Sequence, residues 1–511
     1  MERKVRVRYA PSPTGPQHMG GVRTALYNYL LAKKLGGDFI LRIEDTDQNR
    51  FVPGAEQYII DSLKWCGITP NEGIGFGDGP HAPYRQSERK PMYKKYADML
   101  LESGHAYIAF DTPEELDQMR ANATAQGVPN WQYSAVTRQY MKNSTSLPAD
   151  EVKARIDRGD QYVVRFKMPR NEDVKFHDLI RSWVTFNTSQ LDDKVLMKHD
   201  GMPTYHLANV VDDYLMQITH VIRGEEWLSS APLHVLLYRA FGWEEVMPNF
   251  AHLSLILKPD GNGKLSKRDG DRLGFPSFPL TWVDPETKEV SSGYRERGYL
   301  PEAFINFIAL LGWNPGNDIE IMSKEEMINF FSLEKVHKAG ARFDFEKAKW
   351  FNQQYVKRIP DDVLAEQIKD ALIAKGYTFD KAYVTEYCRL MKDRAVFLND
   401  LSEIGYYFFE DVKTFDTETI KKKFVAPVKD KLNEVVDLIA NSEDFSVAGL
   451  ETAFKSWVAA NGFKIGDVMP LLRVALAGTM QGPPVFEMIH LLGKNKSAER
   501  LKKSLSYFET V

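Results

Sequence analysis

Near its start the chain reads VRVRYAP, then PSPTGPQHMGG, then VRTALYNYLLAKKLGG, then DFILRIEDTD, and this succession constrains the fold more than any other feature. The first run alternates with a short period and ends at Pro11, as a strand does. The second is a turn rich in Pro and Gly. The third carries apolar residues at helical spacing and stops at Gly36 and Gly37. The fourth is strand-like and runs into an acidic loop. Strand, glycine turn, helix, strand is a βαβ unit, and it predicts an open parallel sheet. The active site of such a sheet lies at the carboxyl ends of its strands, here where the glycine turn and the acidic loop meet.

With 511 residues the chain has room for three or four domains and for a core that needs no staple. From Asp111 to Asp192 charged helical stretches alternate with short strand-like runs such as QYVVRFKMP, which reads as an inserted module. The first pattern resumes at KHDGMPTYHLANVVDDYL and continues through THVIRGEEW and APLHVLLYRAFGW. From Lys338 to Val511 helical periodicity is nearly continuous, with basic clusters such as Lys421, Lys422 and Lys423. The predicted divisions are therefore 1–110, 111–195, 196–337 and 338–511. Two cysteines, Cys66 and Cys388, exclude a disulfide framework and a four-cysteine zinc site. A formal charge of −4 excludes a bulk polycation, so a nucleic-acid partner would have to be met by local patches. No apolar stretch is long enough to span a bilayer, and MERKVRVRYAPSP lacks the apolar core of a secretory signal. The expected place of work is the cytoplasm, away from membranes.

Two nucleotide signatures are missing. There is no G-x-x-x-x-G-K-[ST], and GIGFGDG breaks G-x-G-x-x-G at Asp78. Two other segments carry phosphate chemistry instead. In PSPTGPQHMGG, prolines fix the approach, glycines admit close backbone contact, and His18 precedes a helix start that favours anions. In GNGKLSKRDGDRLG, Lys264, Lys267 and Arg268 sit in a mobile stretch able to close over a polyphosphate. Alone, the first is as well read as a surface turn and the second better read as a solvated basic loop. Their joint occurrence in this order is the stronger signal.

PTGPQHMGG resembles the HIGH motif and KLSKR the KMSKS motif of class I aminoacyl-tRNA synthetases. With RYAPSPTG, RTALYNYLLAKKLGGDFILRIEDTD, PTYHLANVVDD and VIRGEEWL, the chain resembles bacterial glutamyl-tRNA synthetases over nearly its whole length. The resemblance implies an α/β protein. A class I Rossmann-like parallel-sheet catalytic domain would hold an inserted acceptor-binding module, followed by an all-helical anticodon-binding region. It implies an enzyme that activates L-glutamate with ATP and Mg2+ and passes it to the terminal adenosine of tRNA-Glu, working as a monomer. Catalytic roles fall to His18, Lys264 and Lys267, and ATP contacts to His18, Gly20, Lys267 and Arg268. Glutamate contacts fall to Arg8, Ala10, Ser12, Glu44, Tyr205, Asn209 and Arg223. Arginine suits a carboxylate through planar bidentate pairing, and Glu44 would take the ammonium. Without the resemblance RIEDTD would read as a metal-binding or solvated acidic loop, and Tyr205 and Asn209 as capping or core residues. The competing reading of Arg223 pairs it with Glu225 or Glu226. In YCRLMKDRAVFL, Arg389, Lys392 and Arg394 are the anticodon candidates, with a solvated face as the alternative.

The motif departs from the family at Gly21, which stands where HIGH has its second histidine. HAYIAFDTPEEL has no cysteine where some relatives hold zinc, so no zinc is expected, and no protein ligand for Mg2+ is named. The alternative readings are an enzyme that also charges tRNA-Gln, a shortened tRNA-modifying paralogue, a tRNA-binding paralogue without catalysis, and a glutaminyl enzyme. The long helical end argues against the second, and His18, Lys267, Glu44 and both arginines against the third. A glutaminyl enzyme is disfavoured by Arg223.

Overall fold

The computed structural model describes residues 3–511, and the chain divides into two compact units, Met1–Ala348 and Lys349–Val511. The first unit is built on a seven-stranded sheet. Its strands are β1 (Arg6–Tyr9), β2 (Asp38–Leu41), β3 (Glu72–Gly73), β4 (Asp173–Asp178), β5 (Ser182–Asn187), β6 (His220–Gly224) and β7 (Asn249–Leu253). Their order across the sheet is β3-β2-β1-β6-β7-β4-β5. Every neighbouring pair is parallel except the β4–β5 hairpin. Helix α1 (Met19–Lys34) makes the crossover from β1 to β2 and is buried around most of its circumference, as a helix covered on both sides must be. Lys33 and Lys34 complement the dipole at its end, and Gly36, at φ +62°, turns the chain back into β2.

The main expectation holds: the N-terminal βαβ unit starts a parallel sheet. The boundaries lie elsewhere than the composition suggested. Residues 173–187, read as part of the insertion, add β4 and β5 to the main sheet, with Val174, Phe176 and Asp178 alternately buried. Ala106–Ala109, placed before the insertion, pairs instead with Val163–Phe166, which pairs with Val195–Met197 in a separate antiparallel sheet. Residues 338–348, read as helical, remain in the first unit, where Ala341–Arg342 extends along Ile256–Leu257. Local periodicity can mark a short strand but not its neighbour, and pairing across long sequence separations decides where it belongs.

The segment HAYIAFDTPEEL packs around aromatic rings. Tyr107, Leu116, Tyr133 and Met141 form a small core. Tyr107 donates to Asp193 at 2.6 Å, Tyr133 donates to Asp111 at 3.0 Å, and the Arg165 guanidinium lies 4.1 Å from the Tyr133 ring centre. Cys66 and Cys388 are buried and unpaired.

In the second unit, described by itself, the described residues form helices and turns without a strand. Leu432, Val436, Leu471, Leu472, Ile489 and Leu501 make up part of its core. Arg500 is buried among backbone carbonyls, donating to those of Leu476 at 3.2 Å and Glu410 at 2.8 Å. No described helix in either unit is long and apolar enough to cross a membrane.

Candidate active site

Parallel strands end side by side, so the residues at their carboxyl ends converge. Arg8 is carried by β1, Glu44 follows β2, and Arg223 lies near the end of β6. Helix α2 (Tyr205–Leu215) presents Tyr205 and Asn209, one turn apart, on the same face. All seven residues assigned to glutamate line one cavity of about 410 Å³. An adjoining cavity of about 370 Å³ is lined by His18, Gly20 and Lys264, and a third of about 440 Å³ by His18 and Lys267. Arg268 is exposed and lines none of the three.

The charges in the glutamate cavity are unevenly matched. Arg8 grips Asp213 through Nε at 3.0 Å and Nη2 at 3.2 Å. The buried Arg42 bridges Asp213 and Glu44, at 2.8 Å to each. Burial alone would raise the Asp213 carboxyl, but the two guanidiniums more than offset it and hold it below the usual range. Two cations and two anions therefore cancel. Glu44 Oε1 takes both Arg42 and the Asn209 amide, at 3.0 Å, and its other oxygen has no partner among the described residues.

Arg223 is different. It is 5% exposed, and all four groups that accept from it are neutral: His252 Nε2 at 3.0 Å, Tyr205 Oη at 2.8 Å, His234 Nδ1 at 3.5 Å and the Trp227 carbonyl at 3.2 Å. The competing reading fails, because Glu225 pairs with Arg181 and Glu226 with Lys264. A buried cation facing only neutral acceptors is a place for an anion. Tyr205 accepts from the guanidinium, so its own hydroxyl proton remains for a second acceptor.

His18 caps α1, its Nδ1 accepting from the Gly20 N–H at 3.2 Å. That places the ring proton on Nε2, a buried donor without a partner among the described residues. Burial, aided by the Lys264 ammonium, lowers the imidazole to about 4, so it is neutral at pH 7 and donates to phosphate without carrying charge. Gly21 has a local reason. A Cβ there would stand 2.6 Å from Tyr9 Oη and 3.2 Å from Gln17 Cγ. Gly21→Ala is expected to cost about 1–3 kcal/mol in guanidinium unfolding, because Tyr9 is buried and must shift to make room.

Lys267 opens helix α3 (Lys267–Leu273), capped by Ser266, and pairs with Glu289 at 3.0 Å. Lys264 pairs with Glu226 at 3.4 Å. Both are exposed ion pairs that yield at little cost. Sequence reasoning passed over Arg42 and Asp213, although both stand inside quoted blocks, and missed His234, His252 and Asp178, which belong to no motif. The three anticodon candidates are engaged within the second unit: Arg389 with Glu386 and Glu487, Lys392 with Asp361, and Arg394 with the Leu390 and Gly482 carbonyls. Among the described residues no cluster of three His, Cys, Asp or Glu is placed to hold a metal ion.

The buried histidines give a stability test. Burial lowers His18, His206 and His252 to about 4, and His234 well below its usual value near 6.5. Below pH 6.5 the unfolded chain binds protons that the native state refuses. Stability present above that pH is therefore lost as the pH falls toward 4, by at least about 1 kcal/mol per pH unit. Urea midpoints taken between pH 7.5 and 4.5 check this, and a flat profile would contradict it.

Comparison with known proteins agrees with the geometry. The family described as "tRNA synthetases class I (E and Q), catalytic domain" matches residues 4–350, and "Anticodon binding domain" matches residues 363–505. The glutamate–tRNA ligase of Amoebophilus asiaticus is 54% identical over 99% of this chain and 98% of its own length, and that of Phocaeicola vulgatus is 56% identical over 99% of both. The crystal structure of a glutamate–tRNA ligase from Elizabethkingia meningosepticum, in complex with its amino acid, superposes with a TM-score of 0.94 at 50% identity, covering 99% of both chains. The chain thus belongs to the class I aminoacyl-tRNA synthetases and, within them, to the glutamate–tRNA ligases.

Proposed function

We propose that this ligase selects L-glutamate through Arg223, with tRNA-Glu as the acceptor, and acts as a cytoplasmic monomer. One observation carries the amino-acid choice: Arg223 is the buried cation of the cavity whose partners are all neutral. The side-chain carboxylate of glutamate supplies the missing charge and receives the Tyr205 hydroxyl. The open oxygen of Glu44 takes the ammonium. Arg8, whose charge is already matched by Asp213, supplies neutral-on-balance hydrogen bonding.

The α-carboxylate is thereby held for attack on the α-phosphate of ATP, and the terminal ribose hydroxyl of tRNA later takes the acyl group. Neither step needs a protein nucleophile. The contribution of this chain is position and field. His18 donates from Nε2 to a phosphate oxygen, while Lys264 and Lys267 follow the charge that grows on the leaving pyrophosphate. The orphaned His18 donor and the two lysines fit a polyphosphate. Mg2+ accompanies the nucleotide, held mainly by phosphates and water. Residues 349–511 would read the anticodon by stacking and base-edge hydrogen bonds. Arg389 and Arg394 remain exposed there beside their internal partners, and Lys392 is half-buried.

The test is aminoacylation of purified tRNA-Glu and tRNA-Gln with glutamate and with glutamine. Glutamylation of tRNA-Glu is the expected product. Efficient use of glutamine on either tRNA would overturn the assignment of Arg223.

A further inference from the structure

Arg223 and His252 stand opposite each other in register on the adjacent parallel strands β6 and β7, so their side chains share one face of the sheet. The contact from Arg223 Nε to His252 Nε2 is 3.0 Å, and the far nitrogen, Nδ1, lies 2.6 Å from Asp178 Oδ2. A guanidinium only donates, so Nε2 must accept, and in a neutral ring the proton then sits on Nδ1 and goes to Asp178. Asp178 is itself fixed by three backbone N–H groups, from Ile180 at 2.9 Å, Arg181 at 2.8 Å and His252 at 3.1 Å. Asp178 and His252 are fully buried, and neither lines the glutamate cavity. On the other side of the guanidinium, His234 accepts at Nδ1 and so offers Nε2–H to His206 Nδ1, 3.2 Å away.

We propose that Asp178 and His252 are positioning residues for amino-acid selection, acting through Arg223. Their line of hydrogen bonds runs one way. Asp178 sets the histidine tautomer, the tautomer presents an acceptor to Arg223 Nε, and that contact turns the Nη1–Nη2 edge toward Tyr205 and Trp227, which line the cavity. The carboxylate is also set one imidazole away from the guanidinium. A direct ion pair would cancel the charge that glutamate needs, whereas the interposed ring orients the cation and leaves its charge, with one Nη2 hydrogen, to the substrate. This inference rests on the reading of Arg223 as the partner of the side-chain carboxylate.

The test uses the full-length enzyme in tRNA glutamylation, varying glutamate, glutamine and ATP separately. In Asp178→Asn the amide can donate to Nδ1, which moves the ring proton to Nε2 and sets donor against donor at Arg223. We expect KM for glutamate to rise about ten- to a hundred-fold, KM for ATP to stay within about twofold, and the preference for glutamate over glutamine to narrow. His252→Gln, which can place an amide oxygen near the lost acceptor, should keep a KM for glutamate several-fold lower than His252→Leu. A glutamate KM and preference equal to the unaltered enzyme in Asp178→Asn and His252→Leu overturns the proposal, as does an equal rise in both KM values. Should Asp178→Asn not fold, the comparison of His252→Gln with His252→Leu decides alone, and equal KM values overturn it. Arg223→Gln separates the two levels. If that variant keeps its glutamate preference, the reading of Arg223 fails; if it loses the preference while the Asp178 and His252 variants keep it, only the positioning role fails.

Discussion

Arg223→Ala is expected to lower kcat/KM for glutamate by roughly two to four powers of ten, with the loss mainly in KM. The substrate carboxylate would enter the cavity and find no buried unmatched cation, because Arg8 is already matched by Asp213 and Arg42 by Glu44 and Asp213. Leaving a desolvated charge unpaired costs several kcal/mol, well beyond an ordinary hydrogen bond. Glutamine brings no such charge, so its poor use should change far less and the ratio between the two substrates should contract. Arg223→Lys should recover little. One ammonium cannot serve His252, Tyr205 and Trp227 together and still face a carboxylate. Initial rates against both amino acids, with thermal midpoints alongside, provide the check. A lowered Tm with an unchanged substrate ratio would make Arg223 a structural residue.

Lys267→Ala should act on the other substrate. The expected loss is about a hundred- to a thousand-fold in adenylate formation, with KM for glutamate changed only a few-fold, since one preorganised charge contact is lost from the transition state alone. Its ammonium pairs with the exposed Glu289 at 3.0 Å. That exposed pair is worth about 1 kcal/mol at most, so release toward the polyphosphate is cheap. Glu289→Gln should therefore leave the rate within about threefold. Pyrophosphate exchange with tRNA present measures both variants. An unaffected Lys267→Ala would remove the KLSKR loop from the chemistry.

Much of the candidate site is legible in the sequence, because the βαβ opening, the glycine turn and the basic loop each leave a local signature. Arg8, Glu44 and Arg223 could be placed at strand ends because their neighbours VRVRY, DFILRI and VIRG are recognisably strands. What could not be read is who neutralises whom. Asp213 lies within PTYHLANVVDD, yet nothing local says that it faces Arg8 across 205 positions. His252 sits in the mostly apolar FAHLSL without any motif around it, and only the register of β7 against β6 brings it beside Arg223. The membership of β4 and β5 in the main sheet is hidden for the same reason, since nothing local sets Phe250 beside Asp178. The replacement of a second HIGH histidine by Gly21 likewise makes sense only once Tyr9 Oη is seen above it.

The order of the sheet also has a consequence for synthesis. Strand β1 leaves the ribosome first, but its free edge is closed by β6, and the Arg6 amide finds its acceptor, the Thr219 hydroxyl, 213 positions later. Throughout that interval the nascent chain holds an unpaired strand edge and an arginine, Arg8, whose counterion Asp213 has not yet been translated. At about 5–20 residues per second this is a window of some 10–40 seconds, long on the scale of collapse and strand pairing. Delays in decoding between β3 and β6 would lengthen the exposure of that edge. Misfolding during synthesis should therefore track codon usage in that stretch more closely than anywhere after β7.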